Sequence, residues 1–370
     1  MNLRKFLIPT LYILLVCFSC GSDDDDELQA VPIRDIQEVY DENLLEIQTY
    51  LETHFFNYED FDFTNPNNPA NNEFTLVIDV ISVANGTQDK TPIINYLNQT
   101  DGLYPRLDIK IVNQDNIDYN LYILKVREGN GDTINALDTA AIIYNGYIPN
   151  GTIFDSQVSV ESGQPFNLTT VGNIGGVVPG FKESIIEFKT ASGFIENLDG
   201  SVTYQNHGIG SVFIPSGLGY FARPPSVNIP QYTPLFFNFK TISRGNTDFD
   251  LDGVPSHIEH PDGDFTGEND DIDGDSLENL IDSDDDGDGV LTRNEVQKKE
   301  YEDDGVNQFM TNAEARAYFN SNAASDEIFI RIEAEFDGTY ILHTLIVPST
   351  MVDGVSLPNY LNSAITNELE

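Results

Sequence analysis

Between Asn246 and Asp304 the composition of the chain changes abruptly: 22 of these 59 residues are Asp or Glu and three are Lys or Arg. Like charges at this density repel one another, so the segment cannot collapse into an ordinary apolar core on its own. It is either a solvated linker or a module whose fold is completed by cations. The whole chain shares the bias, with 61 acidic against 18 basic residues and a formal net charge of −43 over 370 residues. Nucleic-acid recognition depends on clustered Lys and Arg, so the chain lacks the electrostatic footprint for it, and cations are its natural small partners.

The spacing of the acids favours a cation module over a linker. Calcium takes roughly six to eight oxygen ligands, supplied by carboxylates at alternate positions of a tightly turning loop. Asp284, Asp286, Asp288 and Glu295 stand at positions 1, 3, 5 and 12 of such a loop, with Gly289 at 6 and Leu291 at 8. Asp248, Asp250, Asp252, Gly253 and Glu259 repeat the pattern, although Pro255 sits where a short strand pairing would run. Asp271, Asp273 and Asp275 open a third, weaker unit that ends at Asp282. The loops match EF-hand spacing, but three aspartate-rich units in tandem with poorly marked flanking helices also resemble the calcium repeats of thrombospondin type 3. That resemblance implies structural Ca2+. His257 and His260 beside Glu259 offer imidazoles to a transition metal, although surface histidines are more often simply solvated.

The N-terminus has the shape of an export signal. Arg4 and Lys5 precede an apolar run from Phe6 to Phe18, then Ser19-Cys20-Gly21-Ser22 and four aspartates. The run is too short to span a bilayer as a helix. A cysteine after an apolar run and a small residue resembles the lipobox of bacterial lipoproteins, which implies cleavage after residue 19 and acylation of Cys20. Cys17, three residues upstream, departs from the usual Leu. Ser22 with the acidic run resembles the surface-export signal of Bacteroidetes lipoproteins. The implied address is the bacterial cell envelope, lipid-anchored at the outer membrane and facing the surface; the alternative is an ordinary cleaved signal with an acidic tail. Cys17 and Cys20 are the only cysteines, so the mature chain can form no internal disulfide and must be held by core burial or by metal. Removing residues 1–19 takes away Arg4 and Lys5 and no acid, so 351 residues with a charge of −45 remain, enough for two or three domains.

Six segments follow from pattern and composition: a signal at 1–19, a tether at 20–33, a helix-and-strand region at 34–127, a β-rich domain at 128–245, the acidic repeats at 246–304 and a C-terminal region at 305–370. Apolar residues at Ile36, Tyr40, Leu44, Ile47, Leu51 and Phe55 recur every three or four positions, the stripe of an amphipathic helix. The stripe can pack on its own domain or on a second copy. Phe74, Leu76, Ile78 and Val80 alternate as a strand, and Leu107–Val112 and Tyr119–Val126 read as two more. Beyond Gly129, turns are expected at Asn150-Gly151 and Ser192-Gly193 and a helix at Phe181–Phe188, with residues 189–212 as a long inserted loop. Ile328–Phe336 and Thr339–Ile346 around Asp337-Gly338 read as a hairpin.

Within the β-rich segment several short matches occur in order: Tyr144-Asn-Gly, Phe154-Asp155-Ser156, Phe166, Val177-Val178-Pro-Gly-Phe181, Ile214-Pro215 with Leu218-Gly-Tyr220, Ile229-Pro230 and Phe237. Taken singly, each aromatic would be assigned to a core. Together, over Asp138–Ile242, they resemble the FKBP-type peptidyl-prolyl isomerases. The resemblance implies an α+β fold, a twisted antiparallel half-barrel around a short helix. It implies a pocket walled by Tyr144, Phe154, Phe166, Val177, Val178, Ile229 and Phe237 with Phe181 as its floor, and a catalytic set of Asp155, Tyr220 and Tyr144. Tyr220 would donate to the substrate carbonyl and Asp155 would set the polarity beside the bond. Proline-containing polypeptides are the implied partners, no cofactor is required for the isomerisation, and some membrane-associated relatives dimerise through an N-terminal helical region. Two residues depart from the family pattern. The floor is Phe181 where Trp is usual, and Phe221 follows Tyr220 where Gly is common, narrowing the mouth. A noncatalytic module that binds proline-containing segments on a calcium-stiffened scaffold is the competing expectation.

Overall fold

Asp35 begins the first helix by accepting a hydrogen bond from the Glu38 N–H at 3.0 Å, which satisfies one of the free donors of the first turn. The computed structural model describes residues 32–366 apart from 101, 161–162, 260–269, 302–308, 335–337 and 353–354. The predicted signal, Cys20, most of the tether, His260 and the turn at Asp337 lie outside these residues. Helix α1 (Ile36–Thr53) buries Tyr40, Ile47 and Leu51 against its own chain: Tyr40 meets Tyr119 edge-on at 4.8 Å, and its hydroxyl accepts from the Asn120 N–H. The stripe is therefore used within the chain. Its last member, Phe55, falls in β1 (His54–Phe56), which pairs with β2 (Ile78–Val80). The predicted strand from Phe74 shrinks to β2, while Phe74 and Leu76 enter the core from irregular chain.

The main sheet contains β3 (Arg106–Gln114), β4 (Ile117–Arg127), β5 (Thr139–Tyr147), β6 (Ile153–Gln157), β7 (Phe166–Asn167), and, after helix α2 (Pro179–Ile185) and the hairpin β8 (Gly193–Glu196) and β9 (Val202–Gln205), β10 (Gly208–Ile214) and β11 (Leu235–Gly245). Its order is β3-β4-β10-β11-β5-β6, with β7 on β5, and its pairings are antiparallel. The predicted boundary at residue 128 thus runs through one continuous sheet. The cause is visible in β4, which is buried from Leu121 to Arg127 on both faces and so fits an interior position, not an edge. One face of the sheet holds α2 and the aromatic cluster around Phe181; the other holds Ile47, Leu51, Phe56 and Phe213.

Two local predictions are corrected. Helix α2 starts at Pro179, not Phe181, because proline at the first helical position has its φ already set and no N–H to satisfy. Residues 189–212 are not an open loop: Gly193 opens β8, and the chain reverses at Asp199-Gly200, where Gly200 takes φ +83°. An Asp-Gly pair between extended runs is a hairpin signal, and Ser192-Gly193 is not the turn.

The acidic segment continues into β12 (Gln297–Tyr301), followed by α3 (Asn312–Asn322), β13 (Glu327–Ala334), β14 (Tyr340–Ile346), β15 (Ser349–Val352) and β16 (Val355–Pro358). The predicted pairing of Ile328–Phe336 with Thr339–Ile346 is present as β13 with β14, and β12 adds to the other side of β14. Segments 246–304 and 305–370 therefore share a sheet. They also share a core, formed by Val254, Val296, Leu345, Val347, Tyr360 and Leu361. Among the described residues the acidic loops are flanked by the 3-10 turns Asn279–Ile281 and Thr292–Asn294, without the paired α-helices of an EF-hand.

Candidate functional site

The ten residues expected to build the pocket come from six separate places, and the sheet brings them together. Strand β5 supplies Tyr144, β6 supplies Phe154 and Asp155, and β7 supplies Phe166. Val177 and Val178 lead into α2, which carries Phe181; Tyr220 and Ile229 lie on the connection from β10 to β11, and β11 carries Phe237. The nine apolar or aromatic members belong to one cluster, in which Tyr144, Phe181, Ile229 and Phe237 are buried and the others half-buried. Phe181 stacks on Phe237 at 4.5 Å with an interplanar angle of 26°. Phe154 meets the edge of Phe237 at 5.5 Å, and Tyr144 lies 5.7 Å from Phe166 and 5.9 Å from Phe181.

The polar side of this cage is a pair. The Tyr144 hydroxyl donates to Asp155 Oδ2 at 2.6 Å, and burial followed by that hydrogen bond raises the Tyr144 pKa well above the usual phenol range. The carboxylate itself faces solvent at the mouth. Tyr220 is raised too, first by burial and then by the charge of Asp155, which puts its ring within electrostatic reach of the same carboxylate. Both phenols thus remain protonated donors at neutral pH.

Gly146 and Gly180, which stand inside the quoted matches without an assigned role, and Asn43, which lies outside them, hold this geometry. Gly146 lies opposite Asp155 in the β5–β6 register, and a Cβ there would come within 2.8 Å of both Phe154 and Phe237, so glycine lets those rings close over the strand. Gly180 likewise lets α2 approach β10, since a Cβ would collide with Ile214. Asn43 of α1 reaches across the sheet end: its Oδ1 accepts from the Ser216 N–H at 2.7 Å and its Nδ2 donates to the Tyr232 carbonyl at 2.9 Å. It pins both ends of the segment that carries Tyr220. Phe221, expected to narrow the mouth, takes φ +47° and packs edge-on against Tyr232 at 5.0 Å.

A cleft of about 1310 Å3 lies elsewhere, between the end of β11, α3 and the β13–β14 pair. Two of its cations are engaged, Arg316 with Asp132 at 2.7 Å and Arg331 with Glu333 at 2.7 Å. It is a seam between regions and has none of the chemistry of the aromatic cage.

The predicted metal ligands gather into tight groups. Asp248, Asp250 and Asp252 form one, Asp271, Asp273 and Asp275 a second, and Asp284, Asp286 and Asp288 a third, with ligand atoms within 4.8 Å of one another in each. Asp252, Glu259, Asp286 and Glu295 are buried. Buried carboxylate oxygens of Asp248, Asp250, Asp252, Glu259, Asp284, Asp286, Asp288 and Glu295 lack a hydrogen-bond partner. Burial, then the neighbouring acids, pushes Asp252 up to about 7, Glu295 to about 8 and Glu259 to about 11. Orphaned, closely grouped carboxylate oxygens are the donor set of a hard divalent cation. Asp282, the last residue of the weaker unit, is also raised, by burial and then by Asp275 and Asp273. Its group is the most exposed of the three.

Part of the chain is similar to known FKBP-type isomerases. A Haemophilus influenzae protein described as a probable FKBP-type peptidyl-prolyl cis-trans isomerase is 33% identical over 114 residues, 31% of this chain and 38% of that relative. The chain thus covers well under half of that relative's length. A crystal structure of a peptidyl-prolyl cis-trans isomerase from Pseudomonas syringae is 22% identical over 37% of this chain and 80% of its own, with a TM-score of 0.26. FkpA from Escherichia coli is 22% identical over 37% of this chain and 51% of its own, also with a TM-score of 0.26. A family model described as BamM C-terminal matches residues 249–328. The chain carries a segment distantly homologous to FKBP-type isomerases, and the family-model match lies in a separate stretch.

Proposed function

We propose that the chain catalyses cis–trans isomerisation of X-Pro bonds in exported or surface proteins. The observation that carries this is the Tyr144–Asp155 hydrogen bond at the rim of a cage floored by the stacked Phe181–Phe237 pair. Rotation about the bond faces a barrier of about 18–20 kcal/mol because twisting breaks amide resonance. A catalyst must hold the twisted amide better than either planar form. The cage takes the proline ring out of water. Tyr220 donates a hydrogen bond to the carbonyl, while Asp155, fixed by Tyr144, sets the field beside an amide that has lost its charge separation. No proton moves and no covalent bond forms. Phe181 supplies the apolar floor in place of the usual Trp, and with Phe221 turned onto Tyr232 the mouth need not be narrowed by it.

In the same reading the acidic loops hold structural calcium, supported by the orphaned carboxylates, and the chain is tethered in the bacterial envelope through Cys20, supported by the signal-like N-terminus. A noncatalytic chaperone that binds proline-containing segments is the alternative, favoured by the missing Trp. Turnover of a proline-containing peptide by the wild type, Asp155→Asn and Tyr220→Phe tests the proposal. Both variants should be slower than wild type with unchanged melting temperatures; equal rates in all three would refute the catalytic assignment.

A further inference from the structure

We propose that Asp285 joins Asp250 and Glu259 in holding one divalent cation, best matched by calcium, that clamps the first acidic loop to the third. The inference rests on the calcium reading above and adds a ligand that stands outside the repeating positions. Asp285 is the second residue of its loop, between Asp284 and Asp286, whose carboxylates gather with Asp288. Its own side chain groups instead with Asp250 and Glu259, and one oxygen from each of the three lies within 4.8 Å of the others. These residues are separated by up to 35 positions, 285 minus 250, so local loop geometry does not account for their meeting.

Burial gives the second, independent observation. Glu259 is 0% exposed, and neither of its carboxylate oxygens has a hydrogen-bond partner. Asp285 is 1% exposed; its Oδ2 accepts from Thr292 Oγ1 at 3.0 Å, which fixes the carboxylate and leaves Oδ1 buried and unpartnered. Asp250 also presents a buried, unpartnered Oδ2. Three acids sharing protons among themselves would leave hydrogen bonds between their carboxyl groups, and Glu259 has none. A cation satisfies all three at once. The donors are all oxygen, which selects a hard ion, and the adaptable coordination of calcium suits ligands drawn from separate loops better than the strict octahedron of magnesium.

The C-terminal turn closes the site. Tyr360 is 1% exposed in the turn Asn359–Leu361, and its hydroxyl is buried without a partner. The charges of Glu259, Asp285 and Asp252 all act on it. Tyr360 also belongs to the core with Val254 and Val296, so the ion would draw the first loop, the third loop and the chain end into one body.

Calcium titration of the chelator-treated full chain tests the clamp by calorimetry. Asp285→Asn and Glu259→Gln should each weaken the same site by about tenfold or more, because charge count sets affinity in such sites. The double variant should be weakened by much less than the product of the two, as for partners of one ion. Asp288→Asn should weaken a different site, and its effect should multiply with that of Asp285→Asn. A readout that does not depend on calcium guards against misfolding: in chelator, Asp285→Asn should melt at a higher temperature than wild type, since one of three acids packed against one another is gone. Thr292→Val, which frees the Asp285 carboxylate without removing it, should weaken the site less. Wild-type affinity in Asp285→Asn, or fully multiplicative effects of Asp285→Asn and Glu259→Gln, would overturn the clamp while leaving calcium binding in place. A wild type that takes up no calcium at millimolar concentration would overturn both.

Discussion

Lys125 and Glu259 are both buried charges, and the chain treats them in opposite ways. Lys125, in β4, is 4% exposed and lies 3.2 Å from Glu187 and 3.4 Å from Asp108. Glu259 is fully buried in the acidic module, and the charges that act on it are those of other acids, Asp252, Asp250, Asp285 and Asp248. The sheet region sets its buried charges against opposite charges and rests on two large apolar clusters. The acidic region leaves buried carboxylate oxygens of Asp250, Glu259, Asp286 and Glu295 without a partner, as the proposed cation would require. A disulfide-free chain can thus be stable in one half by packing and in the other by charge neutralisation, and the two halves should answer to different perturbations.

The largest expected effect breaks the comparison outright. Chelating calcium from the full chain should lower the amide-exchange protection of the described residues between 248 and 361 by a large factor while β4, β10 and β11 stay fully protected; equal loss in both halves would mean a single cooperative unit. Next in size, Phe181→Ala should destabilise the sheet region by about 3–5 kcal/mol, with or without calcium, in a denaturant titration, because it empties a buried, stacked position. Asp155→Asn should lower kcat/KM about 10- to 100-fold, or about 1.4–2.7 kcal/mol of transition-state stabilisation, with little change in melting temperature, since the carboxylate is exposed. Asn43→Ala leaves the buried Ser216 N–H without its acceptor and should cost about 1–2 kcal/mol of stability while lowering turnover a few-fold through the Tyr220 segment.

pH sharpens the contrast through its sign. Burial, then the nearby Arg127, lowers His207 at the foot of β10 to about 3. A depressed histidine pKa means that the unfolded chain binds the proton more readily, so the sheet region should lose stability as pH falls below about 6.5. The acids of the calcium-free module are raised, Asp252 to about 7 and Asp285 to about 9, by burial and by one another. There the folded state holds the extra protons, so stability is complete below about pH 4 and is lost as pH rises through those values. Thermal melts in chelator across pH 4–8 should move the two transitions in opposite directions.

What could be read from the sequence was local or ordered. The cage was legible because Phe154-Asp155, Val177-Val178, Phe181 and Leu218-Gly-Tyr220 keep a fixed order, and the structure does bring them to one cluster. The β4 strand was legible from its apolar run, but its neighbour β10 begins 81 residues after β4 ends, 208 minus 127, and no periodicity encodes that pairing. Asn43 escaped for the same reason, being 173 residues from Ser216. Asp285 was hidden by its own neighbours, since a motif read at alternate positions skips the residue between them. Helix α3 carried a signal that went unread: Thr311 and Glu314 have the spacing of a capping box, and the Thr311 side chain accepts from the Glu314 N–H at 3.1 Å.

The central claim is that the cage accelerates rotation about X-Pro bonds and does not merely bind them. Exchange spectroscopy on a proline-containing peptide at equilibrium, with the full chain present in catalytic amount, measures both at once. The account predicts cis–trans exchange well above the uncatalysed rate of tens to hundreds of seconds per event, unchanged by chelator and reduced in Asp155→Asn. Peptide resonances that shift on binding while the exchange rate stays at its uncatalysed value would contradict it and identify the pocket as a binding module.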